Sequence, residues 1–199
     1  MKTKLPKHTA KLTPPTSNSI IQLFFEYAQL KSLYRQGWLD RSKGRTVPEE
    51  HCESVADHSF GVALLGYVIA EEYKPDLDSN KVMRLGLFHE IGEIYAGDLT
   101  PHDGVSLEDK SAREYSGVQR VFSHFPNPEK YIAIWREFED GKTPEAVFVK
   151  QIDRLEMALQ SNLYEHLGHS GLEGFFPYVN ERLSSPELRG IFDDLLRTR

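Results

Sequence analysis

Three times along this chain a capping side chain is followed at once by proline and then glutamate, at Asn127-Pro128-Glu129, Thr143-Pro144-Glu145 and Ser185-Pro186-Glu187. Proline suits the first helical position, where its missing N–H would have had no partner. The glutamate beside it meets the positive end of the helix dipole. Ser54 with Asp57 and Ser106 with Asp109 add two starts of the capping-box kind. No stretch sustains an alternation of apolar and polar residues, and no repeat of fixed period appears. The chain is expected to be all-α, with helices over about residues 18–33, 54–73, 79–95, 107–124, 128–139, 144–167 and 186–198, and an eighth within 172–184. The longer connections 35–53 and 96–106 are where a site is expected, because long loops in a compact domain often border one.

With 199 residues, 39% hydrophobic and 27% charged, the chain suits a single core. One domain over residues 18–199 follows. The basic, Pro- and Thr-rich stretch MKTKLPKHTAKLTPPTS, residues 1–17, is read as a flexible tail. A net charge of -6 argues against a broad grip on a nucleic-acid polymer, which needs clustered Lys and Arg. No segment approaches the roughly 20 apolar residues of a membrane span, and no signal peptide is expected. The lone Cys52 cannot make an intramolecular disulfide or a thiolate-pair metal site. A reducing, cytoplasmic setting fits best.

Polar residues stand where apolar ones are expected. In the helix over 54–73, His58 fills a gap in the stripe of Val55, Val62, Leu65 and Ile69. In the next helix Val82 and Leu85 lead by steps of three and four to His89, with Glu93 a turn further and Glu90 alongside. Asp153 lies between Val149 and Met157 on the helix over 144–167. Each has an ordinary explanation: a core histidine bonded to a carbonyl, a glutamate at a wet helix end, an aspartate paired with Arg154 or Lys150. Together, two histidines and two carboxylates on three helices are the nitrogen and oxygen donors a hard or borderline divalent ion takes. His89-Glu90-Ile91-Gly92-Glu93 begins like the zinc-protease pattern H-E-x-x-H but has Glu where the second His must stand.

The order His58, His89-Glu90, Asp153 resembles the H…HD…D signature of the HD-domain metal-dependent phosphohydrolases. The strings Lys31 to Trp38 (KSLYRQGW), Glu53 to Ser59 (ESVADHS), Gly97 to Pro101 (GDLTP) and Val149 to Asp153 (VKQID) are similar to the branch of 5'-deoxynucleotidases and HD-domain-containing protein 2. The resemblance implies a compact bundle of seven or eight helices around one metal site, often dimeric, acting on a small-molecule nucleotide. It implies a divalent ion, with cobalt, manganese, copper, zinc, iron and magnesium as candidates, held by His58, His89, Glu90 and Asp153. By the same route Glu93 would be the catalytic carboxylate, and Asp98 would contact the sugar or order the water. Arg35 and Trp38 would flank the substrate with Asp98, Leu99, Thr100 and Pro101, although Gln36 and Gly37 separate Arg35 from Trp38 and a core role for Trp38 is equally open. Lys150 could support phosphate or simply be solvated. Glu90 stands where the family has Asp, with the same charge on a stem one methylene longer. Two other readings stay open: a dinuclear enzyme acting on cyclic dinucleotides or as an oxygenase, which needs further histidines such as His102 or His124, both expected at the surface; and a noncatalytic nucleotide-binding HD protein.

Overall fold

The structure, a computed structural model, describes residues 16–100 and 103–199. Residues 1–15 of the expected tail, together with Pro101 and His102, lie outside the described residues. The α-helices are α1 (Ser19–Tyr27), α2 (Val55–Tyr73), α3 (Ser79–Phe88), α4 (Glu93–Ala96), α5 (Leu107–Phe122), α6 (Glu129–Asp140), α7 (Pro144–His166), α8 (Phe175–Asn180) and α9 (Pro186–Thr198), with short 3-10 turns at Gln36–Leu39 and Arg41–Lys43. Among the described residues the only β-pairing is an isolated bridge between Tyr34 and Ser54. The all-α expectation is met.

The capping chemistry explains most of the starts. Ser54 caps the Asp57 N–H while the Asp57 carboxylate accepts from the Ser54 N–H at 2.8 Å, a reciprocal box that opens α2. Ser106 accepts from the Asp109 N–H at 3.0 Å and Thr143 from the Ala146 N–H at 3.3 Å. At α6, Pro128 itself holds the cap position without a side-chain hydrogen bond. At α9 the Ser185 hydroxyl turns to Glu187 instead of the backbone.

Two expected helices are shorter than their patterns. The stretch over 18–33 stops at Tyr27, tightens through Gln29 and Leu30 N–H bonds to the carbonyls three residues back, and then runs extended so that the Leu33 carbonyl accepts from Val55 N–H at 2.8 Å. The stretch over 79–95 breaks between Phe88 and Glu93, where Ile91 and Glu93 donate to Phe88 and Glu90 at three-residue spacing. Close packing explains the break. A Cβ on Gly92 would stand 2.9 Å from Glu114 Cα, and one on Gly117 would stand 2.5 Å from the Gly92 carbonyl oxygen, so this turn lies directly on α5.

Three apolar clusters surround the site. The first joins α2, α3, α7 and α9 through Val62, Leu85, Ile152, Leu155 and Phe192. The second joins α5 and α6 to the start of α2 through Val55, Val118 and Trp135. The third packs the 34–52 segment, with Trp38 and Cys52, on Tyr164 and Leu172. The α2 and α3 backbones meet at Gly86, where a Cβ would stand 2.8 Å from Ala63 Cα. Between Val55 of the second cluster and Val62 of the first, α2 carries His58, 1% exposed.

Candidate metal centre

His58 and His89 point their rings at one another, Nε2 to Nε2 at 3.3 Å. The other ring nitrogens are occupied: His58 Nδ1 lies 2.7 Å from Glu156 Oε2, and His89 Nδ1 lies 2.7 Å from the Gly86 carbonyl oxygen. A carbonyl only accepts, so it fixes the proton of His89 on Nδ1, and Glu156 does the same for His58. Both Nε2 atoms are thereby turned inward.

Carboxylates close the ring. Glu90 Oε1 is 3.8 Å from His58 Nε2 and 3.6 Å from His89 Nε2, and Asp153 Oδ1 is 3.2 Å from His58 Nε2. Atoms of His58, His89 and Glu90 all lie within 4.8 Å of one another. For bonds near 2.1 Å, neighbouring ligand atoms on one ion lie about 3 to 3.5 Å apart. Imidazole nitrogens and carboxylate oxygens gathered at one point are the donors a divalent ion takes, so the donor set fits one.

The surrounding charges follow from the same geometry. Burial and Arg35 act against a charge on His58, yet Glu156 and Asp153 push it up to about 10. Burial would raise Asp153, but His58 holds it below the ordinary carboxylate range. Burial also acts to raise Glu90, and His89, Arg35 and His58 together bring it to about 2. The protein supplies two ionised carboxylates to this point.

Glu93 differs from its neighbours. It is 1% exposed, neither oxygen has a hydrogen bond among the described residues, and burial together with the charges of Glu90 and Asp98 holds its carboxyl well above the usual range. Lys110 Nζ stands 4.0 Å from Glu93 Oε1.

The structure brings Arg35 and Asp98 to the edge of this cluster. Arg35 Nη1 is 3.0 Å from Glu90 Oε1 and 3.2 Å from Asp98 Oδ1, and the Gln36 N–H donates to Asp98 Oδ2 at 2.5 Å. Trp38 is not brought there. It is 3% exposed, packed on Tyr164 and Phe175, with its indole N–H donating to Glu53 Oε1 at 2.7 Å. Leu99 and Thr100 are half-buried, with the Thr100 N–H and hydroxyl bound to Asp103. Pro101 lies outside the described residues. Of the two histidines a dinuclear site would need, His102 also lies outside them, and His124 is near Glu26 at 4.0 Å with 42% of its side chain exposed.

A cavity of about 350 Å³ opens onto His89, Glu90 and Asp153, with Lys110, Phe138 and Lys150 in its facing walls. A larger groove of about 480 Å³ between α4 and α5, lined by Tyr95, Asp109, Arg113 and Arg120, has none of His58, His89, Glu90 and Asp153 in its wall. The smaller cavity is the one that matters for chemistry, because it reaches the inward-facing donors.

Sequence reasoning missed Glu156, Glu53 and Lys110. Glu156 follows Asp153 by three on α7, one helical step along the same face, and that spacing was the available signal. Lys110 with Glu114 reads as an ordinary i,i+4 surface pair; only the fold carries Glu93 to it.

Residues 27–186 match the HD domain family, and the chain belongs to it. The human 5'-deoxynucleotidase HDDC2 is 31% identical over 183 residues, covering 90% of this chain and 85% of that protein. A conserved hypothetical protein from Pyrococcus furiosus superposes with a TM-score of 0.72 at 31% identity, covering 89% of this chain and 99% of the other. A Magnetospirillum magnetotacticum MS-1 protein described as a predicted metal-dependent phosphohydrolase superposes with a TM-score of 0.64 at 27% identity, over 90% of this chain and 94% of that one.

Proposed function

We propose that this protein is a metal-dependent phosphohydrolase that releases phosphate from nucleoside 5'-monophosphates, 2'-deoxynucleotides being the favoured class. The observation that carries this reading is the convergence of two imidazole Nε2 atoms and the carboxylates of Glu90 and Asp153 at the wall of a cavity of about 350 Å³. Relatives bearing the name 5'-deoxynucleotidase, aligned over 90% of the chain, support the substrate class.

In this reading His58, His89, Glu90 and Asp153 would hold the ion, with cobalt, manganese, zinc, iron and magnesium as candidates. When bound, such an ion supplies a Lewis acid for a phosphoryl oxygen and lowers the pKa of a water. Glu93 handles the proton. Its carboxyl, held above the usual range by burial, is the group placed to pass a proton to the departing 5' oxygen. Asp98, Leu99 and Thr100 lie on the substrate side, where the reading also puts Pro101 as a substrate contact, and Asp98 anchors Arg35. Trp38 acts from beneath, by holding Glu53, and not by touching the nucleotide.

The same reading takes residues 18–199 as one HD domain and the cytoplasm as its compartment, consistent with a buried lone Cys52. Among the described residues no helix is long and apolar enough to cross a membrane. A homodimer belongs to the reading too; Phe60, Leu64 and Val68, 63%, 50% and 46% exposed at four-residue steps on α2, offer an apolar stripe for it.

The test is direct. Protein stripped of metal and reloaded with cobalt or manganese is assayed for phosphate release from a panel of deoxynucleoside and ribonucleoside monophosphates. Release from the deoxynucleotides is expected, and no release from any of them with metal bound sinks the reading.

A further inference from the structure

The cavity wall holds a cation that neither the metal-holding set nor the proton-handling residue uses. Lys110, from the first turns of α5, has its Nζ 3.4 Å from Glu114 Oε1 and 4.0 Å from Glu93 Oε1, and 33% of its side chain stays exposed at the cavity shared with His89, Glu90 and Asp153. Glu93 and Glu114 are themselves 1% and 6% exposed, so both anchors are fixed in the protein interior. An ammonium carries three N–H donors. Glu93 takes none of them in a hydrogen bond and Glu114, at 3.4 Å, takes at most one, so at least two remain for the cavity.

The other cations nearby have contacts of their own. Arg35 lies between Glu90 and Asp98. Lys150 Nζ caps the Phe138 ring at 4.4 Å, and Arg154 donates to the Lys150 carbonyl. A divalent ion held by Glu90 and Asp153 sums with them to zero charge, so a dianionic phosphate arriving there gains no net attraction from the centre alone. A fixed cation at the cavity wall supplies it.

We infer that Lys110 is a phosphate-binding residue of this site, donating an N–H to an anionic oxygen of the substrate or product phosphate, with Glu114 as the residue that positions it. The inference rests on the phosphohydrolase reading of the cavity but not on the identity of the nucleoside. Burial disfavours the charge on Lys110, but Glu114, Glu90, Glu93 and Asp98 hold its pKa well above the ordinary lysine range, so it stays cationic across the working pH. Arginine at this position would keep the charge and gain donors.

The experiment is equilibrium dialysis of radiolabelled inorganic phosphate against the manganese-loaded protein. The expected result is saturable binding by wild type, affinity within about three-fold for Lys110→Arg, and a loss of about ten-fold or more for Lys110→Met. Removing the cation alone leaves Glu93 and Glu114 uncompensated, so Lys110→Met is paired with Lys110→Met/Glu114→Gln, which removes one carboxylate along with the cation. Glu114→Gln alone keeps the ammonium and is expected to bind phosphate at least as tightly as wild type. Wild-type affinity in the folded double variant, or no phosphate binding by the metal-loaded wild type, overturns the inference. A protein that binds phosphate through Lys110 yet hydrolyses no nucleotide would overturn the nucleotidase reading and leave this one standing.

Discussion

His58 Nδ1 and Glu156 Oε2 lie 2.7 Å apart with both side chains buried, at 1% and 8% exposure. The contact sets which ring nitrogen of His58 faces the candidate metal centre, since a carboxylate that accepts at Nδ1 leaves Nε2 directed inward. Glu156→Ala is therefore expected to weaken metal binding by about 10- to 100-fold, whereas Glu156→Gln, whose carbonyl still accepts, loses less. Calorimetric titration of manganese into the stripped protein reads both. Equal affinity in wild type and Glu156→Ala would remove the orienting role.

Removing the ion should also cost stability. An ion bound only by the folded chain stabilises it by about 2.7 kcal/mol at a hundred times its dissociation constant, which for a chain of this size raises the melting temperature by roughly 5 to 10 °C. Thermal melts with chelator and after reloading with manganese measure the shift. His89→Ala, which deletes an inward Nε2, should abolish it; a protein indifferent to chelator would mean that the four residues are structural.

Glu90 reaches His58, His89 and Arg35 with one oxygen, at 3.8, 3.6 and 3.0 Å. This turn is fitted to glutamate. Restoring the aspartate of the family signature draws the carboxylate back by one methylene and away from Arg35. Glu90→Asp is expected to bind metal about ten-fold more weakly, at the cost of roughly one charge-assisted hydrogen bond, with no gain in turnover. A sharp rise in activity would instead favour a natural chain that had lost catalysis through its glutamate.

Much of this was legible before any coordinates. His58 and His89 were readable because each interrupts an apolar stripe at helical spacing, and the structure buries both, at 1% and 4% exposure. The break between Phe88 and Glu93 was not readable: nothing in the apolar spacing of 79–95 announces it, and its cause is the contact of Gly92 with Gly117, 25 positions along the chain. Trp38 shows the same limit. Its type suits a core or a binding face equally, and only the packing of Tyr164 and Phe175 on it decides for the core.

Away from the site, Lys81 of α3 bridges Glu137 of α6 at 2.7 Å and Glu145 of α7 at 2.9 Å. Burial would raise Glu145, but the hydrogen bond from Lys81 lowers it below the ordinary value. A carboxyl lowered in the folded state stabilises above its unfolded value of about 4.3 and loses that contribution as pH falls through the folded one. Lys81→Met is expected to cost about 0.5 to 1 kcal/mol at pH 7, shrinking near pH ~3 as Glu145 protonates. Urea unfolding at both pH values reads the difference, and a gap that persists in acid would show that the lysine stem, not its charge, matters.

Gly117 and Gly190 separate helix propensity from packing. Both lie within helices, where alanine is ordinarily better by about 0.5 to 1 kcal/mol. A Cβ at Gly190 on α9 meets nothing within 4 Å, so Gly190→Ala should realise that gain. At Gly117 the new methyl would stand 2.5 Å from the Gly92 carbonyl oxygen, inside the turn between Glu90 and Glu93. Overpacking of this kind costs about 1 to 3 kcal/mol, more than the propensity gain, and relief comes only by moving α5 off the turn. Gly117→Ala should be destabilised in thermal melts and should bind metal more weakly, because the shifted turn carries Glu90 with it. A Gly117→Ala protein as stable and as metal-avid as Gly190→Ala would show that the turn does not depend on α5 for its shape.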